Sequence, residues 1–428
     1  MQHRVTTEAL TGALPKPRER SADRGDRHPT ARFWEVRTID HAPGDFPSPA
    51  DVQHGVAAAR LAPFVSVVIP VRNERALIAC CLDSVLANDY PAERREILVM
   101  DGLSEDGTRA ILDAYAARFP AVRILDNPNR ITPAALNLGI REARGDIVVR
   151  LDAHARLAPG YISQCVAWIE SSGADNVGGL MRTLPRGGGL VAEAIALALS
   201  NRFGVGNSVF RTEATEPRWV DTVFGGCYRR EVFRRLGGFN ERLPRGQDME
   251  FNLRLKRAGG RTLLVPSIRC DYFARCDPRS FLKHNWTNGV WAIRPFAESE
   301  IVPVCPRHLV PLAFVLVLAM TLAVWCAPLG ALSPQPRSFG AMSRALQGLG
   351  SGPLLLLASC YLAAALAAAA RLAWRCRDAR LVLVLPAIFL GLHLAYGLGS
   401  LWGLPGATAA LAWRAIRAIG CGGWINKR

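Results

Sequence analysis

The chain has 428 residues, half of them hydrophobic and 21% charged, which excludes a disordered or collagen-like chain and leaves room for two or three structural units. Lys plus Arg number 52 against 36 Asp plus Glu, a net charge of +16, so an anionic partner is expected: nucleic acid, anionic lipid or a phosphorylated substrate. A mean hydropathy of +0.12 tilts that choice toward membrane lipids. The 11 cysteines occur singly or as Cys80-Cys81, with no Cys-x-x-Cys or zinc-finger spacing, and read as reduced thiols in a reducing compartment.

Residues 1–60 are rich in Arg, Asp, Pro, Thr and Ala without periodicity and read as a disordered basic extension; no apolar signal segment follows Met1. The β-branched run Phe64–Pro70 then predicts a buried strand. Asn73 is placed to cap a helix in which Leu77, Cys81 and Val85 recur. A second strand, Glu96–Met100, stops at Asp101-Gly102, and a helix follows to Arg118. Val122–Leu125 is a third strand, followed by a helix from Pro133, a residue favoured in the first turn. The fourth, Ile147–Leu151, ends at Asp152. This alternation predicts a largely parallel α/β sheet, whose ligands bind at the carboxyl ends of the strands, where Asp101 and Asp152 lie. Residues 175–300 are less regular, with strand-like Asn176–Leu180 and Thr262–Val265 and a helix from Gln247 to Ala258, closed by Gly259-Gly260.

Three segments near the end, Leu309–Ala327, Pro353–Ala370 and Leu381–Leu401, carry no Asp, Glu, Lys or Arg and are each long enough to cross about 30 Å of hydrocarbon. The basic connector Arg371–Arg380 is expected in the cytoplasm, and so is everything before Leu309. Three spans place Arg414 and Arg417 outside; a fourth short segment at Leu404–Trp413 would bring them back. The chain thus divides into an extension (1–60), an α/β domain (61–300) and a membrane domain (301–428).

The acidic residues at the strand ends, Asp101 and Asp152, with Asp248 and Glu250 later, suit a divalent cation with a diphosphate ligand, or proton transfer. Neither a Walker phosphate loop nor Gly-x-Gly-x-x-Gly after the first strand is present.

Several motifs occur in an order that resembles family 2 glycosyltransferases of the GT-A fold. They are Val68-Ile-Pro-Val-Arg-Asn-Glu74, Val99-Met-Asp-Gly-Leu-Ser-Glu-Asp-Gly-Thr108 and Arg150-Leu-Asp-Ala-His154, then Gly225-Gly226-Cys227, Gly237-Gly-Phe-Asn-Glu241 and Gly246-Gln-Asp-Met-Glu-Phe251. The wording of Asn127–Ile140, Asp-Ala-His and Phe203-Gly-Val-Gly-Asn207 is similar to the succinoglycan-type bacterial exopolysaccharide transferases, which also carry C-terminal membrane spans. The resemblance covers residues 64–295. It implies that Pro70, Arg72, Asn73 and Glu74 contact the nucleotide, that Asp101 hydrogen-bonds the base, and that Asn137 and Gly139 lie near it. Leu136 stands where the family often has Arg, so Arg130 or Arg150 is left to replace that phosphate contact. Asp106 reads equally as a helix cap. Asp152 and His154 match the metal motif, with His in place of the second Asp, which suits Mn²⁺ better than Mg²⁺. Gly225, Gly226 and Cys227 correspond to the acceptor loop, and Asp248 to the catalytic base. Glu250 would orient that base or stabilise the helix start.

What the resemblance implies is an inverting, metal-dependent transferase at the bacterial inner membrane, multi-pass, with its catalytic domain cytoplasmic. It would move one sugar, from UDP-glucose as the expected nucleotide sugar, to a polyprenyl-diphosphate-linked saccharide. Lys283–Trp291 lacks the Gln-x-x-Arg-Trp of processive synthases, hence a single addition. Trp286 and Trp291 read as acceptor-stacking or interfacial residues. The alternatives are a polyprenyl-phosphate sugar synthase, which needs no carboxylate base, and a non-catalytic scaffold or transporter, whose pathway would carry intramembrane charge. Nucleic-acid binding would explain the charge but not the spans.

Overall fold

The computed structural model describes residues 62–212, 214–275, 277–299, 305–326 and 351–422; the extension expected at 1–60 lies outside them. The first part alternates as the sequence predicts: β1 (Val65–Val71), α1 (Ile78–Leu86), β2 (Arg95–Asp101), α2 (Thr108–Arg118), β3 (Val122–Asp126), α3 (Thr132–Glu142) and β4 (Ile147–Arg150). These four strands pair in parallel in the order β3-β2-β1-β4.

Beyond β4 the sheet departs from the largely parallel expectation. In chain order come β5 (Ala155–Leu157), α4 (Tyr161–Ser172), β6 (Asn176–Pro185), α5 (Leu190–Ala198), α6 (Arg202–Val205), β7 (Arg218–Val220), β8 (Cys227–Arg229), α7 (Arg230–Leu236), α8 (Gln247–Arg257) and β9 (Thr262–Ala274). The sheet continues β4-β8-β6-β9-β5, with β7 also on β9. Only β6–β9 is parallel here; β8, β5 and β7 run antiparallel to their neighbours. Those three are too short to leave a period in the sequence.

Alternation places successive side chains on opposite faces of the sheet. Val65, Val67, Ile69, Ile97 and Val99 join one core with α1 and α4. Val68, Leu98, Met100 and Val148 join the other with Tyr228, Phe233 and Phe251. Both faces are covered, so β1 and β2 read as continuous apolar runs. At the start of these strands the buried Glu96 carboxylate accepts from Ser66 Oγ (2.7 Å) and from Arg144 N (2.7 Å) and Nε (2.9 Å).

Helices α9 (Pro278–Ile293), α10 (Pro295–Glu298), α11 (Pro306–Cys326), α12 (Gly352–Cys376) and α13 (Leu381–Gly422) complete the described chain. Among the described residues three helices are long and apolar enough to cross a membrane: Pro306–Ala323, Gly352–Cys376 and Leu381–Pro405. The segment weighed as a fourth span, Leu404–Trp413, is the continuation of α13.

The sheet domain is fastened to these helices by close packing. A Cβ at Gly289 would stand 2.0 Å from Tyr396 O, and one at Gly399 would stand 2.2 Å from Trp286 O, so α9 and α13 meet backbone to backbone. Ser400 Oγ donates to Gly289 O at 3.2 Å. Ala194 and Ala198 of α5 pack with Ala369, Leu385 and Phe389. The Phe203–Asn207 motif docks here as well: His393 Nε2 donates to Phe203 O at 3.0 Å. That leaves Nδ1 as the acceptor for Tyr361 OH at 2.9 Å. Trp286 lies half-exposed, 6.4 Å from Trp402 between ring centroids, while Trp291 carries the Arg294 cation.

Candidate active site

The carboxyl ends of β1, β2 and β4 gather most of the residues singled out above. Asp101 ends β2 with 1% exposure; its Oδ1 accepts from Ser104 N (3.1 Å) and Oγ (2.6 Å), and Arg109 Nη1 stands 3.5 Å from Oδ2. Pro70 lies beside Met100 in the β1–β2 register, and Arg72 lies exposed over Gly102. Asn73 does not cap α1, which starts at Ile78. It sits in the left-handed region (φ 55°), where its N–H donates to Ser104 Oγ (3.0 Å) and its Oδ1 accepts from Glu105 N (2.9 Å), tying the two loops together. Asp106 is not the cap of α2, a place that Gly107 takes; from one residue before it, its Oδ1 accepts from Thr108 N at 3.0 Å and its Oδ2 from Arg75 N at 3.1 Å. An open cavity of about 370 Å³ is lined by Asn73, Glu74, Arg75, Ala76, Asp106 and Arg186.

Glu74 is buried and holds two partners. Arg186 Nη2 donates to its Oε1 at 3.1 Å, Nη1 stands 3.0 Å from Oε2, and His154 Nδ1 stands 3.3 Å from Oε1. Burial pushes this carboxyl up, and the His154 ring and Arg186 guanidinium outweigh it, leaving it below its ordinary range. A carboxylate only accepts, so the proton on Nδ1 faces Glu74 and Nε2 is the nitrogen placed to ligate, the arrangement found around ligating histidines. Arg186 belongs to this site unforeseen: 112 residues separate it from Glu74, and its Pro-Arg-Gly-Gly-Gly context carries no motif.

The next centre is Arg150. Its Nη2 donates to Asp152 Oδ1 at 3.0 Å, and its Nη1 lies 3.7 Å from Asp248 Oδ2, so two acids almost a hundred residues apart meet on one buried guanidinium. Burial pulls the Arg150 pKa down; Asp152 and Asp248 outweigh it, and the net direction is up. Its Nε and Nη1 are buried with no hydrogen-bond partner, leaving donors to spare. Arg130, the other candidate for a phosphate contact, stands exposed in the loop before α3.

Asp152 to Ala155 is a turn, with Ala155 N donating to Asp152 O at 2.9 Å. Asp152 therefore turns to Arg150, and His154 to Glu74 and the edge of Tyr272, 4.9 Å away. Among the described residues no group of three or more His, Cys, Asp or Glu side chains could hold a metal ion. Asp152 and His154 are two donors, which fits an ion shared with a diphosphate and water better than one caged by protein.

Asp248 stands in the first turn of α8, where the helix dipole favours negative charge. Glu250 faces away, buried, with Arg254 Nε on Oε1 (2.9 Å) and Nη2 on Oε2 (3.0 Å). Gly225 and Gly226 cross beside Arg150, Arg150 N donating to Gly226 O at 2.9 Å; their φ of 67° and 102° require glycine. Cys227, grouped with them in the sequence, is fully buried opposite Val149, so its thiol belongs to the core. Asn137 spends its amide on the Gly237–Glu241 loop: Oδ1 accepts from Phe239 N (2.7 Å), and Nδ2 donates to Phe239 O (2.9 Å) and Glu241 Oε1 (2.8 Å). Gly139 lies against Val68 and Met100, where a Cβ would stand 2.5 Å from Val68 Cγ1.

The family model for Glycosyl transferase family 2 matches residues 66–237, from β1 to the end of α7. The succinoglycan biosynthesis protein ExoA of Rhizobium meliloti (strain 1021) is 29% identical over 299 residues, 68% of this chain and 89% of that protein. A Methanococcus voltae protein, dolichyl N-acetyl-alpha-D-glucosaminyl phosphate 3-beta-D-2,3-diacetamido-2,3-dideoxy-beta-D-glucuronosyltransferase, is 29% identical over 234 residues, 53% and 72% of the two chains. A solved Pyrobaculum calidifontis mannosyltransferase, PcManGT in complex with GDP-Man and Mn²⁺, aligns at a TM-score of 0.48 and 20% identity, over 82% of this chain and 92% of that one. The motifs, the site they build and the match over residues 66–237 agree: the chain is a glycosyltransferase, and it resembles the succinoglycan-type transferases of family 2.

Proposed function

We propose that this glycosyltransferase is an inverting, metal-dependent enzyme of exopolysaccharide biosynthesis that adds one sugar from a nucleotide sugar, with UDP-glucose the first candidate, to a polyprenyl-diphosphate-linked saccharide. Residues 61–300 are its catalytic domain, on the cytoplasmic side of the bacterial inner membrane, and 301–428 its membrane domain. The observation that carries the reading is the meeting of Asp152 and Asp248 on Arg150. That meeting supports a base, Asp248, close to the carboxylate that would hold the cation, Asp152.

In this reading Pro70, Arg72, Asn73, Glu74 and Asp101 surround the nucleoside, and Gly225-Gly226 guides the acceptor past Arg150. Asp248 takes the proton of the acceptor hydroxyl as its oxygen forms the new bond to the anomeric carbon. The bond from that carbon to the diphosphate oxygen breaks on the opposite face, which inverts the centre. Arg150, with donors to spare, faces the charge that collects on the departing diphosphate. Asp152 and His154 would hold the divalent cation, Mn²⁺ in preference to Mg²⁺, which when bound neutralises that charge.

The test is a donor screen. Full-length protein in detergent is given each UDP- and GDP-sugar with a lipid-linked acceptor, and nucleotide release is scored. Asp248→Asn is expected to keep donor binding and to lose about 10²–10⁴ in rate. Turnover of that variant at the wild-type rate would remove the base and favour a bare lipid phosphate as the acceptor.

A further inference from the structure

Most buried or half-buried arginines of the sheet domain have a carboxylate: Arg150 has Asp152, Arg186 has Glu74, and Arg254 has Glu250. Two do not. Arg211 lies half-buried with its guanidinium 5.6 Å from the Phe210 ring centroid and 5.8 Å from that of Tyr272. The rings steady its charge from their faces but leave its N–H donors unused, and among the described residues no carboxylate pairs with it. Arg245, three residues before Asp248, donates from Nη1 to Asn288 Oδ1 at 2.6 Å and lies 3.4 Å from His284 Nδ1, again with no carboxylate among the described residues.

Arg245 sits where the active site meets the helices at the end of the chain, and Arg211 lies beside Tyr272, whose charge also acts on Arg245. His284 and Asn288 are one turn apart on α9, and the next residue, Gly289, is pressed against Tyr396 O of α13. Tyr272 joins this cluster to the donor side, since His154 lies on its edge and Arg211 beside its ring. Burial pulls the guanidinium pKa of both arginines down and outweighs what opposes it, Tyr272 for both and the more distant Asp248 and Asp152 for Arg211. His284 is held neutral, its pKa pushed down to about 3 by burial and then by Arg245 and Arg211. The cluster is thus two cations with no carboxylate in ion-pair contact among the described residues and with neutral hydrogen-bonding groups beside them, which suits a multivalent anion.

We propose that Arg211 and Arg245, with His284 and Asn288 as neutral partners, form a second diphosphate site, which holds the head group of the lipid-linked acceptor between Asp248 and the membrane helices. The assignment of the acceptor side rests on the glycosyl transfer proposed above; the anion site itself does not.

Binding to the full-length protein in detergent separates the sources of the diphosphate. Farnesyl diphosphate, inorganic pyrophosphate and UDP with Mn²⁺ are the probes, and tryptophan fluorescence reads them. Arg211→Gln and Arg245→Gln are each expected to weaken farnesyl diphosphate by about 10–100-fold and to leave UDP within about twofold, which also certifies the fold. Arg211→Lys should recover part of the loss, because it restores the charge without the fork. Equal loss of farnesyl diphosphate and UDP would assign both arginines to the donor and overturn the proposal, as would farnesyl diphosphate binding that neither Gln variant changes. Pyrophosphate binding with the same arginine dependence supports recognition of the diphosphate itself. If the donor screen fails while farnesyl diphosphate still binds through these arginines, the transfer reading falls and the anion site stands.

Discussion

Glu74→Gln tests how the metal motif works. Glu74 is 6% exposed and reaches both Arg186 and His154. Gln preserves the shape and an oxygen toward His154, but it removes the charge that fixes the proton on Nδ1. Loss of such a support costs about 10–100-fold in metal affinity. The Mn²⁺ concentration for half-maximal nucleotide release should rise by that factor, while the rate at saturating Mn²⁺ stays near wild type, because Asp152 and His154 are still present. A structural penalty comes with it: Arg186 exchanges a charged partner for a neutral one, worth about 1–3 kcal/mol. Its side chain keeps 24% exposure, so water relieves part of this. Arg186→Gln supplies the comparison, with the stability loss but an intact Glu74–His154 contact. An unchanged Mn²⁺ midpoint in Glu74→Gln alongside a lowered melting temperature would refute the reasoning and leave Glu74 a structural residue.

Three further outcomes are expected. His154→Asp should improve activity with Mg²⁺ relative to Mn²⁺, and an unchanged ratio removes His154 from the metal site. Cysteines introduced in the Arg371–Arg380 connector should resist an impermeant thiol reagent in intact cells and react once the membrane is opened; reaction in intact cells would invert the topology. Burial raises the Glu96 carboxyl, but the Arg144 N–H, Ser66 hydroxyl and Arg144 guanidinium outweigh it and hold it below its ordinary range. Its stabilisation is therefore complete above the unfolded value near 4.3 and fades as pH falls through the lower folded value. Glu96→Gln should lower the melting temperature at pH 7, and the gap from wild type should close below about pH 4; a gap that persists in acid would mean that Glu96 acts through packing.

What the sequence disclosed depended on range. Strands β1 to β4 are legible because each is rich in β-branched and other apolar residues and stops at a polar turn, and α8 because Gln247 and Gly259-Gly260 bracket it. Strands β5, β7 and β8 have three residues apiece and borrow their order from distant partners, so the antiparallel half of the sheet left no local mark. The same holds within the site. Asp101, Asp152 and Asp248 were marked by position and motif. Arg186 and Arg211 take their meaning from contacts that span the fold, and nothing beside them in the chain announces it. Asn73 was read as a cap because its type fits one; the left-handed backbone there sends its side chain to the Asp101 loop instead.

The seam between α9 and α13 has a consequence for substrate choice. Where Gly289 touches Tyr396 O and Ser400 Oγ reaches Gly289 O, α9 is locked against α13, and that contact resists a tilt of the α/β domain over the bilayer. With the helices embedded as proposed, Asp248 then works at one height above the lipid head groups. A saccharide anchored by its lipid presents each hydroxyl at a height set by how many sugars lie beneath it. The seam would therefore act as a ruler: the enzyme would count the sugars already on the carrier by stature, and a chain one residue too short or too long would hold its hydroxyl below or above the base.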